Sequence, residues 1–252
     1  MSDEPIPSPF DRFPGEFIEA SVVDDCGGDE IRILGYELGS DLAPHYDTIE
    51  ILLSLFLGEL PANAAIGQAF SMALRFAMPL SVADGAVHAT RLGRHLATIA
   101  DNDATVVTLA AVAVSEHSRH EIEGLAELLA WLEEPGAAEL PACAKAASAA
   151  DVRYAADLRR LIAAEYAPPA VFDAGPGRVA AAVAVMHACG VREPQQLIAA
   201  LTAVRIPVAM AEAYGVSDPR IWSYPLNLPR WDYSGARAAG PQGEPERPTE
   251  EP

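Results

Sequence analysis

From residue 47 to residue 214 the chain alternates apolar runs with residues that start and stop helices, and strand signals are few. Asp47-Thr-Ile-Glu50 forms a capping-box variant that opens the run ILLSLFL, with Gly58 placed to end that helix. Pro61 sits as a first-turn proline ahead of ANAAIGQAFSMALRFAM, a helix that stops before Pro79. Residues 82–100 and 103–116 form a third and a fourth helix, parted by the turn and cap cluster Asp101-Asn102-Asp103. The fourth, ATVVTLAAVAVSEH, is apolar almost all round, which predicts burial at the domain centre or in an oligomer interface. Helices follow over 120–134, 149–166, 177–189 and 194–214. Gly190 is placed to cap the third of these, Pro194 to open the last and Pro207 to kink it. The fold class read from this pattern is all-α.

Outside the helical region the signals change. Ile31-Arg-Ile-Leu-Gly35-Tyr36 reads as a short extended piece ending at a glycine turn. Residues 1–30 carry four prolines, the pair Gly27-Gly28 and many acids, the pattern of an irregular arm. Residues 235–252, GARAAGPQGEPERPTEEP, have almost no apolar side chains and are expected to form a disordered tail. No period indicates an array of repeats.

Composition narrows the function classes. Of 252 residues half are hydrophobic, enough for a substantial core in one large domain or two modest ones. The 36 acidic against 17 basic side chains give a net charge of −19. Such a balance disfavours nucleic acid, which needs a basic face, and an anionic membrane surface for the same reason. Sixteen of the basic residues are arginine, and Lys145 is the only lysine. The acidic, proline-broken start is unlike a signal peptide, and no uninterrupted apolar stretch approaches the roughly 20 residues of a membrane span. Cys26, Cys143 and Cys189 are odd in number and widely spaced, as expected of reduced thiols in a cytoplasmic protein.

Several segments, in order, resemble the citrate synthase family. Ile33-Leu-Gly35-Tyr36-Glu-Leu and Leu55-Phe-Leu-Gly58-Glu-Leu-Pro61 are similar to its "rGYdi" turn and "LLxGELP" helix end. Val171-Phe-Asp173-Ala-Gly-Pro-Gly177 resembles its "NVDxxSG" segment, and Met186-His-Ala-Cys-Gly190 the end of the helix that follows. Ala203-Val-Arg205-Ile-Pro-Val-Ala-Met-Ala211-Glu212 resembles "aigRtaGwiAH", and Arg220-Ile221 with Tyr233-Ser-Gly235 the terminal "rIxRP…YxG". The likeness runs from about residue 31 to residue 235, and GELP is its most specific part. It implies a large helical domain (31–117 and 178–234) and a small one (118–177) closing over a cleft. The implied assembly is a homodimer, or a heterodimer with a citrate synthase-like subunit.

The family joins an acyl-CoA carbon to a 2-oxo acid, which needs a base and preorganised donors at both developing oxyanions. By resemblance Asp173 is the base; on the residues alone it also reads as the N-cap of the helix GRVAAAVAV. His117 aligns with the first histidine of "HGGA", but His117-Ser-Arg-His120 lacks both glycines. The H-x-x-H spacing suggests a metal only weakly, since no third ligand accompanies it, and two histidines at a solvated helix start account for it as well. Leu140-Pro-Ala-Cys-Ala-Lys145 aligns with "iPGfGHp", which puts Lys145 at the second catalytic histidine; a surface lysine is the alternative.

For substrate carboxylates the resemblance offers Arg205, with Arg220 and Arg153 as further cations. For coenzyme A phosphates, Arg153, Arg159 and Arg160 read as one helix face, or simply as an arginine-rich outer face. No tightly bound cofactor or metal is implied; the coenzyme A thioester is a substrate. Three readings follow: a diverged acyl-CoA carbon–carbon enzyme, an inactive paralogue serving as partner or regulatory subunit, or a different reaction in the same cleft using Lys145.

Overall fold

The computed structural model describes residues 23–24, 31–81, 83–100, 104–134 and 139–215. Three two-residue strands, β1 (Val23–Asp24), β2 (Arg32–Ile33) and β3 (Tyr36–Glu37), pair antiparallel in that order. Leu34 and Gly35 turn the β2–β3 hairpin with φ of 53° and 82°, the positive values a two-residue hairpin loop demands. The extended piece expected over 31–36 is therefore one strand, its turn and the start of the next. Among the described residues the remaining named elements are helical.

Local capping explains the limits of the first two helices. Helix α1 (Thr48–Leu57) opens at Asp47, whose carboxylate accepts the Ile49 and Glu50 N–H groups at 2.8 Å. Glu50 reciprocates by accepting the Asp47 N–H at 2.9 Å, completing the box. Gly58 closes α1 with φ of 76°. Helix α2 (Ala64–Ala77) is capped by Asn63, which accepts the Ile66 N–H at 3.2 Å. Pro61 thus stands ahead of the cap rather than in the first turn, because an asparagine oxygen satisfies an orphan N–H and a proline ring cannot.

Helix α3 (Gly85–Ala100) is followed by α4 (Ala104–Gly124), which runs straight through the break expected after residue 116. The reason is on its surface and its seam. Arg119 pairs with Glu116 at 2.7 Å and with Glu123 at 2.5 Å, the one-turn spacings that favour continued helix. Ser118 and Ile122 extend the buried stripe begun by Val106, Ala110 and Val114. The break comes at Leu125, before α5 (Ala126–Glu133). Helices α6 (Ala149–Ile162), α7 (Arg178–Ala188) and α8 (Pro194–Tyr214) complete the order, with Pro194 in the first turn of α8 and Pro207 inside it.

The helices pack in two groups. Helices α2, α5 and α6 surround α7, with α1 against α2. Every residue of α7 from Ala180 to His187 is buried, and Val183 and Met186 share one core with Leu53, Phe70, Leu128, Leu158 and Leu201. Helices α3, α4 and α8 form a second group, joined to the first where α2 meets α8. Within the single chain α4 is not the buried central helix that was one of the two places expected for it. Only the every-fourth-residue stripe is covered, and Val107 and Val112 are 50% and 58% exposed. A helix packed on one side within the chain can bury only the stripe that faces its neighbours.

Among the described residues α8 alone is long and apolar enough to cross a membrane; in the fold it lies against α3 and α4 and buries Arg205. The boundary drawn after residue 117 falls inside α4, and the main core takes residues from both sides of it. The boundary after 177 coincides with the start of α7. Of the arm 1–30 only β1 is described, and the tail 235–252 lies outside the described residues.

Candidate functional site

Two short 3₁₀ turns, Ala142–Ala144 and Ala170–Ala174, approach the N-terminal end of α7 from different parts of the chain. Gly175, at φ of 72°, reverses the second in the left-handed region that a side chain disfavours. The segments that follow are stitched together by backbone. Lys145 bridges Pro176, the Ala146 N–H donates to the Gly175 carbonyl at 3.3 Å, and the Gly177 N–H to that of Ala144 at 2.8 Å.

Beside this junction lies a cleft of about 290 Å³, lined by His120, Glu121, Cys143, Lys145, Asp151 and Arg178, among others. Gly177, Val179 and Ala180 also line it, so the cleft lies at the first turn of α7, and Gly177 brings no side-chain cap. Orphan N–H groups and the positive end of the helix dipole favour negative charge at such a place.

The structure distributes the expected catalytic residues unevenly. Lys145 lines the cleft and donates to Glu139 Oε1 at 2.5 Å, a hydrogen bond and charge that lower the Glu139 pKa. Asp173 lies in the second 3₁₀ turn with 72% of its side chain exposed, accepting from Arg159 Nη2 at 2.8 Å. It is not the N-cap of α7; that position is Gly177, because the chain turns once more before the helix begins. His117 is half-buried within α4, and the histidine that lines the cleft is His120, near Glu116 and Glu123 at 3.9 and 3.6 Å. Neither histidine stands at a helix start, since α4 begins at Ala104.

The arginines separate further. Arg205 is 1% exposed; its Nη1 meets Glu121 Oε2 at 2.6 Å and its Nε donates to the Ala77 carbonyl at 2.9 Å. Its guanidinium is thus engaged in the interior, fastening α8 to α4 and to the end of α2. Arg153 lies over the Tyr154 ring at 4.8 Å. Arg159 reaches Asp173, whereas Arg160 pairs with Asp157 at 3.0 Å, so adjacent arginines on α6 serve different neighbours. Arg220 lies outside the described residues.

No protein-family model matches the chain, and no curated protein is detectably similar to it. The site therefore rests on its own geometry.

That geometry adds residues the sequence reading passed over: Arg178, Glu121 and Cys143 at the cleft, with His120 in place of His117. Arg178 had a usable signal, since it opens the alanine-rich helix directly after Gly-Pro-Gly. Glu121 had none, because its tie to Arg205 spans two helices far apart in the chain. Away from the cleft, burial pushes the Cys189 thiol up to about 12, and burial together with Cys189 pushes the Tyr166 hydroxyl up to about 12. Both belong to the packing around the end of α7, where the Tyr166 hydroxyl donates to the Ala188 carbonyl at 2.9 Å.

Proposed function

We propose that the chain is a diverged citrate synthase-like protein that takes an acyl-CoA thioester and a small 2-oxo acid at the cleft before α7. Its reaction in this reading is carbon–carbon bond formation or cleavage. The observation that carries the proposal is the backbone junction of 144–146 with 175–177. It brings together two segments that resemble the family's catalytic-histidine and catalytic-aspartate motifs, beside a helix N-terminus. Asp173, which stands in the 3₁₀ turn beside the cleft and not in its lining, is the base that removes the α-proton of the thioester in this reading. His120 and the first turn of α7 supply donors for the enolate oxygen, and Lys145 donates to the oxo-acid carbonyl as negative charge develops there. Substrate carboxylates and phosphates are held by Arg178 and by the exposed arginines of α6. The protein is cytoplasmic and works as a dimer, which would cover apolar side chains such as Val107 and Val112 that one chain leaves exposed.

A second reading, an inactive paralogue that partners an intact subunit, is favoured by one feature. Asp173 is paired with Arg159 and 72% of its side chain is open to solvent, whereas a base for a weakly acidic α-proton works best where water is excluded. A Schiff-base reaction through Lys145 has less support, because Glu139 engages its amine and the side chain is 46% exposed. Such a lysine needs a desolvated pocket.

Calorimetry with acetyl-CoA and longer thioesters, alongside alkylation of Cys143, tests the assignment. Binding is expected to release or absorb heat, raise the melting temperature and slow Cys143 labelling, since that thiol lines the cleft. Millimolar thioester with none of these effects would overturn the acyl-CoA reading. Where binding occurs, Asp173→Asn is expected to abolish exchange of the α-protons with little change in affinity. Binding with no α-proton exchange even in the unaltered protein would instead establish the inactive-partner reading.

A further inference from the structure

On the other side of Arg178 lies a larger cavity, about 600 Å³, between α2, α6 and the loop after α2. That volume is within the range of small-molecule sites, roughly 300–1,000 Å³. Its wall is apolar, with Met72, Phe76 and Leu161 prominent. Against this wall stand three guanidinium groups, Arg75, Arg160 and Arg178, and a single carboxylate, Asp157. Asp157 is committed to Arg160 at 3.0 Å. Arg178 spends one nitrogen on the Phe76 carbonyl, and Arg75 makes no ion pair or hydrogen bond among the described residues. Three of the seventeen basic residues of a −19 chain therefore face one cavity, with one acid to balance them. Guanidinium groups gathered against the overall field of the protein, above an apolar wall, match a ligand with an anionic head and an apolar body.

We propose that this cavity binds an amphipathic carboxylate of the medium-chain fatty-acid type. Its carboxylate lies between Arg75 and Arg178, and its chain runs along Met72, Phe76 and Leu161. The cavity is separate from the cleft before α7: the two linings share only Arg178, and Arg160, the other arginine used in both proposals, lines this cavity and not the cleft.

Calorimetry and thermal shift with octanoate and decanoate as probes, and with butyrate and decylamine as controls, test the site in the full chain. Decanoate is expected to bind saturably, and affinity to rise roughly three- to fourfold for each methylene between butyrate and decanoate. Decylamine is expected not to bind. Arg75→Gln, an exposed position that leaves the Phe76 carbonyl bond intact, is expected to weaken decanoate at least fivefold with an unchanged melting temperature. Leu161→Asp is expected to abolish binding by placing a like charge on the wall. Decylamine binding as tightly as decanoate would overturn the proposal, as would inorganic phosphate binding as tightly. So would decanoate affinity that Arg75→Gln and Leu161→Asp both leave unaltered in folded protein.

Discussion

Helix α7 and the first half of α4 are both built largely from alanine and valine, yet their surroundings differ completely. Around α7, helices α2, α5 and α6 close every side, and eight successive residues are shielded. Helix α4 meets α3 and α8, buries one residue in four, and leaves Val107 and Val112 in the open. The second cluster of buried apolar side chains in that group is correspondingly small: Ala86, Val114 and Ala209. Apolar composition is permission to be buried, and the number of neighbouring elements decides how much of it is used. The consequence for function follows from α7. A helix locked on all sides presents its first turn in a fixed place, and both cavities lie against its opening residue Arg178.

The contrast can be broken most sharply by one substitution made in both places. Val183→Asp puts a carboxylate into the centre of the main core, where it has no cation, and is expected to cost at least about 4 kcal/mol or prevent folding. Val112→Asp, on the exposed side of α4, is expected to change the stability of a single chain by only about 0.5 kcal/mol. Urea unfolding of the two variants decides the matter, and similar losses at both sites would show that α4 is enclosed after all. If the proposed dimer forms through α4, Val112→Asp would also halve the mass seen in solution.

A tie within the second group, Arg205 of α8 with Glu121 of α4, offers the next effect. Arg205 is buried and Glu121 keeps 26% of its side chain exposed at the cleft. Removing the carboxylate by Glu121→Gln strands a buried cation and is expected to cost about 3–5 kcal/mol. Arg205→Met fills much of the same volume and leaves Glu121 with 26% of its side chain exposed, so its cost is expected to be smaller. Chemical denaturation of both variants checks the order; a larger loss in Arg205→Met would contradict it.

A smaller effect separates the groups by pH. Burial raises Cys189 from 9.0 to about 12, and Tyr166 from 10.0 to about 12. Both pKa values are higher folded than unfolded, so the stability they confer is complete below pH 9 and is lost as pH rises toward 12. Stability measured across that window is expected to fall, with a shallower fall in Cys189→Ala. A fall of the same slope in that variant would place the titration elsewhere.

The smallest expected effect is kinetic. Cys143 is exposed and Cys189 buried, so under native conditions alkylation is expected at Cys143 first, with Cys189 reacting only on opening around α7. Equal rates at the two thiols would mean that the α7 end of the core opens readily.

Much of the fold was legible in the sequence because its signals are local. The Asp47–Glu50 box, the glycine after α1, the proline opening α8 and the helical class itself are decided within a turn or two of chain, where backbone groups must find partners nearby. The errors are of the same kind: Pro61 was outranked by a better cap two residues on, and α4 ran past His117 because Arg119 and its glutamates favour helix. What only the tertiary structure decided is which side chains share a space. It set His120 rather than His117 at the cleft, turned Arg205 inward to Glu121, sent Arg159 to Asp173 and Arg160 to another cavity, and placed Lys145 against Pro176. Those meetings depend on how helices cross and which face each one turns. A single chain of residues carries the period of a face, and only packing against neighbours fixes its direction.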